Sequence, residues 1–461
     1  PEVVVGRMSA YNSSHLQVIA NKTLLYEKAQ DFYGNEIEDG WFERVALVGD
    51  PSESGYSTIF TNQAIEEMME QYGVDDIRTN YGQGGYSNWV ENQFEDGLLY
   101  YNYRGWYGAS GIDDDGYDNG FMSTFVTVLT CGTGDYNYNN ASYIEKWIRD
   151  GSLSQGGGAV GAVGVASIGT HTAYNNIVNL GIYDGIFAQQ LDYAGTAVAS
   201  GRLALLNTYP GNTASSWVGA FTQWNNLMGD PAVLLWTDTP SELDVSHPIS
   251  MTIGSNIMDI NIKDDSNSPV KGAWVTLLKG NDEIFLTTFS DENGNVTFDW
   301  DGDISAGNIK LTVTKRNFIP YQEDITIIDT GDHLEVTNIY IDDSYGGNND
   351  GQLNPGEYVE IHFGLTNLDN NFLNEITGYI NSDNSNVFTE QNIVDFGGVN
   401  ASETVFNTND PFYLTLSYSA IDEENLNVRL NLDIQGVNHI FYVPIEVHGG
   451  DIVITDFDSG A

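Results

Sequence analysis

FVTVLTCGTGDYN, residues 125–137, runs from an apolar segment of strand composition into a Gly-rich polar loop, with Cys131 at the junction. Cys131 is the only cysteine of the 461 residues. The β-branched and aromatic residues ahead of it read as a buried strand, and the glycines behind it allow close backbone approach. Similar apolar runs flank this one at RVALVG (44–49), GLLYYNY (97–103), AVGAVGVAS (159–167) and VLLW (233–236). Between them lie helical patterns such as SSHLQVIANKTLLYEKAQDFY (13–33) and TNQAIEEMMEQYG (61–73), and helical residues around 142–149. Alternation of this kind implies an α/β domain whose mostly parallel sheet carries helices on both faces. Functional residues then collect beyond the carboxyl ends of the strands, where Cys131 falls.

From residue 241 onward the helical pattern disappears. Short alternating strands, MTIGSNIMDINIKD, AWVTLLKG, VTFDW and NIKLTVTK, are broken by turns such as DENGN. A further set runs from HLEVTNIYIDD through EYVEIHFGLTNL to HIFYVPIEVHGG. This is the pattern of small all-β sandwiches. The expected domains are 1–240, 241–336 as an immunoglobulin-like or carboxypeptidase-regulatory-like sandwich, and 337–461 as a second sandwich, with TDTPSELDVSHP (237–248) as linker.

Sixty-five acidic residues against sixteen basic ones give a formal charge of −49, although only 18% of residues are charged. Phosphate binding needs clustered cations, so nucleic acid is excluded as a partner. Such acidity suits a secreted or cell-surface protein in a salty or calcium-containing medium, as of a marine bacterium, where self-repulsion is screened. One cysteine excludes an intramolecular disulfide framework and a multi-thiolate zinc site. No run of about 18 apolar residues marks a membrane-spanning helix. The opening PEVVVGRMSA and the closing DFDSGA read as those of a processed or truncated piece of a longer precursor.

A thiol at a strand end with backbone N–H groups behind it is placed to act as a nucleophile, although a small buried thiol is the alternative. One strand earlier, YYNYRGWYG puts Arg104 at a comparable strand end. Together with RVALVGD, VTVLTCGTGDYN, AVGAVGVASIGTHTAYN and LMGDPAVLLW, in this order and spacing across residues 1–236, the chain resembles the gingipain family of cysteine peptidases. The resemblance implies a caspase-like sheet, peptide-bond hydrolysis through the Cys131 thiolate, and a catalytic His one strand before the cysteine. At that position the chain carries Arg104, which cannot act as a base near neutral pH but can favour a thiolate. An ion pair with Asp113, Asp114 or Asp115 is the structural alternative for Arg104. His171, in SIGTHTAYN, follows the next strand and is the substitute base expected here, with a solvent-facing loop histidine as its alternative. The amides of Gly132 and Cys131 are the expected oxyanion donors.

Two acidic loops are candidate calcium sites, because Ca²⁺ takes clustered oxygen ligands. One is DDDGYDNG (113–120), with Asp113, Asp115 and Asp118; the other is DDSYGGNNDGQLNPGE (342–357), with Asn348, Asp350 and Glu357. Gly346 occupies the first-ligand position of an EF-hand in the second loop, so an orthodox EF-hand is excluded and an Asx-turn loop is its alternative. GGGAVG (156–161) precedes its strand and so is no phosphate cradle. No organic cofactor is expected. The partners implied are a protein or peptide substrate and a cell-surface or secretion-system component. A relative without catalysis, serving as an adhesion or assembly module, is the competing reading.

Overall fold

The computed structural model describes residues 3–137, 141–211, 216–300, 304–329, 334–382, 384–390, 392–422 and 425–449. The chain divides into two compact units, Pro1–Glu242 with Lys315–Pro320, and Leu243–Thr314 with Tyr321–Ala461.

VLLW (233–236) forms no strand, Leu234 making only an isolated bridge to Tyr193, whereas the other four apolar runs do form strands and two further strands complete the set. The strands are β1 (Arg44–Gly49), β2 (Asp76–Tyr81), β3 (Tyr100–Arg104), β4 (Thr124–Val128), β5 (Ala159–Val165) and β6 (Asn225–Gly229). They form a six-stranded sheet in the order β2-β1-β3-β4-β5-β6, parallel throughout except for β6, which runs antiparallel to β5. The helices are α1 (Ser13–Glu27), α2 (Ser57–Gln71), α3 (Tyr86–Glu95), α4 (Tyr143–Arg149), α5 (Thr172–Phe187), α6 (Ala194–Thr208) and α7 (Trp217–Trp224).

Strand alternation sorts side chains onto the two faces. Val45, Leu47, Tyr100, Phe125 and Val163 pack with Ile65 of α2, Ile182 of α5 and Val198 of α6. On the other face Ala46, Val48, Tyr101, Val126 and Ala162 pack with Ile19 of α1, Phe94 of α3 and Trp147 of α4. A sheet covered on both sides has no polar face, which is why β4 and β5 read as continuous apolar runs. The β5 glycines serve close approach: a Cβ on Gly164 would lie 2.9 Å from the Ile144 side chain and 2.9 Å from Thr133 Oγ1.

A buried polar network joins three strands to two helices under the carboxyl ends. Asn102 of β3 donates to Asn62 Oδ1 of α2 at 2.8 Å and to Asn179 Oδ1 of α5 at 3.0 Å. Its Oδ1 accepts from Asn179 Nδ2 at 2.8 Å and from Thr127 of β4, which also meets Tyr183 at 2.8 Å. Asn62 in turn donates to the Val48 carbonyl of β1 at 3.0 Å. Asn102, Asn62, Asn179 and Thr127 are fully buried, so each needs the others.

On the opposite face Lys22 of α1 is buried and donates to the carbonyls of Asp150 and Gly157, both at 2.8 Å. Burial pushes its ammonium from the ordinary 10.5 down to about 7, against the opposing pull of Asp150.

Among the described residues the regular elements of the second unit are all strands. One pair of sheets holds 284–289, 274–279, 307–314, 321–328 and 250–252 in one sheet and 295–299, 257–264 and 243–246 in the other. A second pair, built on Leu334–Gly346, Tyr358–Asn367, Leu373–Asn381, Asn425–Ile434 and Val437–Glu446, closes over a shared core of Ile361, Phe363, Ile380 and Leu430. The expected division at 336/337 falls inside the strand Leu334–Gly346, whose pairing with Tyr358–Asn367 binds it wholly to the second pair. Residues 315–320 group with the first unit, which a contiguous division of the sequence could not anticipate.

Removing the hub of the network, Asn102→Ala, leaves buried partners on α2, α5 and β4 unpaired. It is expected to lower stability by about 3 kcal/mol in urea unfolding. Lys22 gives a pH signature: the folded chain releases this proton near pH 7 while the unfolded chain holds it to 10.5. Unfolding therefore takes up a proton between those values, and stability gains up to about 1.4 kcal/mol per pH unit as pH rises. Lys22→Met is expected to remove that rise in unfolding curves compared at pH 7 and pH 9.

Candidate active site

Because β1, β3, β4 and β5 are parallel, their carboxyl ends share one rim, and the residues just past them converge. Asp50 follows β1, Arg104 ends β3, Cys131 follows β4 and Thr170 follows β5. Around Cys131 opens a cleft of about 390 Å³ whose lining includes Arg104, Trp106, Tyr107, Ile168, Thr170 and Asn175. Cys131 is partly buried, and its Sγ lies 3.0 Å from Thr170 Oγ1.

Arg104 is 1% exposed. Its Nε and Nη2 donate to Asn176 Oδ1 at 2.9 and 2.7 Å, Nη2 also reaches the Thr172 carbonyl at 3.3 Å, and Nη1 binds the Leu129 carbonyl. The first turn of α5 thus holds the guanidinium beside the thiol. Burial pushes Arg104 down to about 10, partly offset by the charges of Tyr103 and Cys131, so it is a cation at neutral pH. The ion pair with the 113–115 carboxylates is corrected: Asp113 accepts from Ser87 and Asp114 pairs with Lys146 at 2.9 Å.

His171 makes no hydrogen bond to the thiol and does not line its cleft. It is exposed and caps α5, with Nδ1 accepting from the Ala173 amide at 3.2 Å and its ring 4.9 Å from that of Tyr174. Thr170 and Thr172 line the cleft on either side of it. The helix needs an acceptor for its free amides, and the imidazole supplies one.

The oxyanion assignment to Gly132 is also corrected. Its amide donates to the Ser167 carbonyl at 2.9 Å, because the loop after β4 continues to pair with the chain leaving β5. The rim amides of Gly105 and Cys131 have no intramolecular acceptor among the described residues, and both residues line the cleft. Gly105 follows Arg104 directly, so the same strand end supplies the cation and an amide.

Past Gly105 the backbone makes a left-handed turn over Gly108, Ala109, Ser110 and Gly111, with φ of 74°, 46°, 57° and 74°. Left-handed backbone costs about 1–2 kcal/mol at each non-glycine residue, so the turn needs anchoring. Ser110 Oγ binds the buried Asp50 carboxylate and meets Tyr103 OH at 2.7 Å. Asp50 also accepts from the Ser52 amide at 2.9 Å. The turn carries Trp106 and Tyr107, which wall the cleft and also a neighbouring cavity of about 500 Å³ that Asp50, Glu53 and Tyr86 help to line.

Asp50, Gly105, Thr170 and Asn175 escaped the sequence reading. Asp50 had a signal in RVALVGD, since it too ends a strand. Asn175 had one in the three asparagines of TAYNNIVN, out of place in an apolar helix.

In the first acidic loop Asp113 and Asp114 are engaged by separate partners, Ser87 and Lys146. Asp115 and Asp118 are exposed, and among the described residues no group of three or more His, Cys, Asp or Glu is placed to hold a metal. In the second loop Asn348 and Asp350 accept in Asx turns, from the amides of Asp350 and Gln352, both at 2.9 Å. Glu357 accepts from the amides of Asn348 and Asn354 at 3.0 and 2.9 Å. Asp343, unremarked in the sequence, accepts from Asn349, Asp350 and Gly351 at 2.6, 3.1 and 3.1 Å. Burial pushes the Asp343 carboxyl up, but these amides outweigh it and hold it below the usual value.

Gingipain R1 of Porphyromonas gingivalis is 22% identical over 337 residues, covering 68% of this chain and 32% of that protein. Lys-gingipain of the same organism is 22% identical over 381 residues, covering 74% and 20%. The chain spans less than half the length of the curated relatives it matches. The crystal structure of the Arg-specific cysteine proteinase gingipain R superposes with a TM-score of 0.62 at 20% identity, covering 71% of this chain and 76% of the other, which shows the shared fold. Residues 1–236, just over half of the sequence, match peptidase family C25, and the chain belongs to that family.

Proposed function

We propose that the chain is a secreted or cell-surface cysteine endopeptidase acting through Cys131. What carries this reading is the convergence, on one rim, of a cleft-lining thiol, a buried guanidinium and two amides free to donate to an oxyanion. Arg104 stands on the same rim as a fixed cation and cannot accept the thiol's proton. Sγ attacks the peptide carbonyl, and the amides of Cys131 and Gly105 stabilise the oxyanion. As the S–C bond is kept and the C–N bond breaks, the leaving amine takes up the proton the thiol released, relayed by water at the cleft mouth. A second water then hydrolyses the thioester, giving the carboxylic acid and restoring the thiol. Water fits this relay better than His171, whose Nδ1 is committed to the helix cap.

The competing reading, a non-catalytic module, draws on one observation: among the described residues no histidine lines the cleft. An activated peptide reagent that alkylates thiols separates the two. Labelling of the wild type that Cys131→Ala abolishes, and that Arg104→Met slows about tenfold at pH 6, is expected for the peptidase; no labelling across pH 5–9 excludes it.

Calcium is a separate proposal for the 343–357 loop, where Asp350 and the carboxylates of Asp343 and Glu357 lie on one hydrogen-bonded turn. Calcium is expected to raise the melting temperature of the wild type and not of Asp350→Ala. Equal melting with calcium and with a chelator would remove the metal from this loop.

A further inference from the structure

The charges around the rim are sorted. Asp50 and Glu53, the acids nearest in sequence to the cleft residue Ser54, line the neighbouring cavity on the far side of the Trp106–Tyr107 wall. Among the described residues no carboxylate lines the cleft that holds Cys131, and the one charged side chain lining it is Arg104. That guanidinium has no carboxylate partner among the described residues, and the second N–H of Nη1 has no acceptor there.

Beside it, Asn175 lies in the first turn of α5, 2% exposed, with an Oδ1 that no donor reaches. A buried unpaired amide oxygen costs about 1–3 kcal/mol, so a group this deep is usually satisfied. Its neighbours on the same turn are satisfied: Asn176 holds Arg104, and Asn179 holds Asn102. The Asn175 carboxamide therefore calls for a ligand that accepts at Nδ2 and donates an N–H to Oδ1.

We propose that this cleft selects a peptide carboxylate, an aspartate or glutamate side chain or a peptide's terminal carboxylate, through Arg104 and Asn175. The carboxylate accepts from Nη1 of Arg104 and Nδ2 of Asn175, while the adjoining peptide N–H donates to Asn175 Oδ1. A basic side chain meets a buried cation there with no acid to offset it. The proposal deepens the peptidase reading by naming its substrate class, and it rests on that reading only for turnover. Binding to the cleft stands apart from it.

The test uses the full chain as Cys131→Ala, so that binding is read without cleavage. Fluorescence anisotropy compares one peptide scaffold bearing Glu, Gln or Lys at a single position, each as free acid and as C-terminal amide. Salt at about 0.5 M screens the long-range repulsion of a chain of charge −49. The Glu peptide is expected to bind at least tenfold more tightly than the Lys peptide, with the Gln peptide between. Preference that follows the side chain assigns the carboxylate to it, and preference that follows the free acid assigns it to the terminus. Asn175→Ala is expected to weaken the preferred peptide about tenfold. Ser54→Asp, at the partly exposed edge of the cleft, is expected to reverse the Glu-over-Lys order, which keeps the test intact should Asn175→Ala fold poorly. Equal binding of Glu and Lys peptides, a preference for Lys, or no binding of any peptide overturns the proposal. Tight binding of the Glu peptide with no turnover by the wild type removes the peptidase reading and leaves the selectivity standing.

Discussion

The buried hydrogen bonds of Asn102 are the constraint on which the rim depends. One carboxamide on the central strand β3 is shared between α2, α5 and β4, and a second carboxamide, Asn62, carries the link to β1. In a core that is otherwise apolar, such a network tolerates one arrangement, because any shift of α5 leaves polar groups unpaired in low dielectric. α5 is also the helix whose first turn holds Arg104 and carries Asn175. The register of the sheet and the placement of the guanidinium are thus one problem with one solution.

Electrostatics then decide what the rim can do. The chain is strongly acidic, yet the described cleft residues include a single cation and no acid. A guanidinium fixed by an amide oxygen and two carbonyls keeps its charge, since no carboxylate among the described residues pairs with it. The strained turn at 108–111 contributes by separation. Anchored on Asp50, it holds two aromatic rings between the carboxylates and the cation, so opposite charges lie close together in sequence without meeting in space.

Much of the α/β unit was legible because its physics is local. Buried parallel strands must be apolar on both faces, so RVALVG, LLYYNY, FVTVL and AVGAVGV could be read directly, and with them the positions just past their ends. Cys131 and Arg104 are such positions. Gly132 shows where that logic stops: a strand end tells that an amide is near the rim, but not whether the partner strand has already claimed it. His171 shows the same limit for side chains, since a histidine at a helix start satisfies the backbone before it can serve chemistry. In the acidic loops, carboxylates adjacent in sequence take separate partners, Ser87 and Lys146 in the first and their own backbone amides in the second, which the sequence pattern does not reveal.

What the sequence alone determined was the four buried strands β1, β3, β4 and β5, the double-sided burial of the sheet and the placement of a thiol and a guanidinium at neighbouring strand ends, all consequences of hydrophobic period and strand polarity. Only the tertiary structure decided which amides stay free, that Thr170 and not His171 meets the thiol, that Asn175 is left unpaired in the cleft, and that Asp50 faces away from it. Those outcomes turn on competition for hydrogen bonds between residues far apart in the chain, and a competition has no winner until all of the competitors are in place.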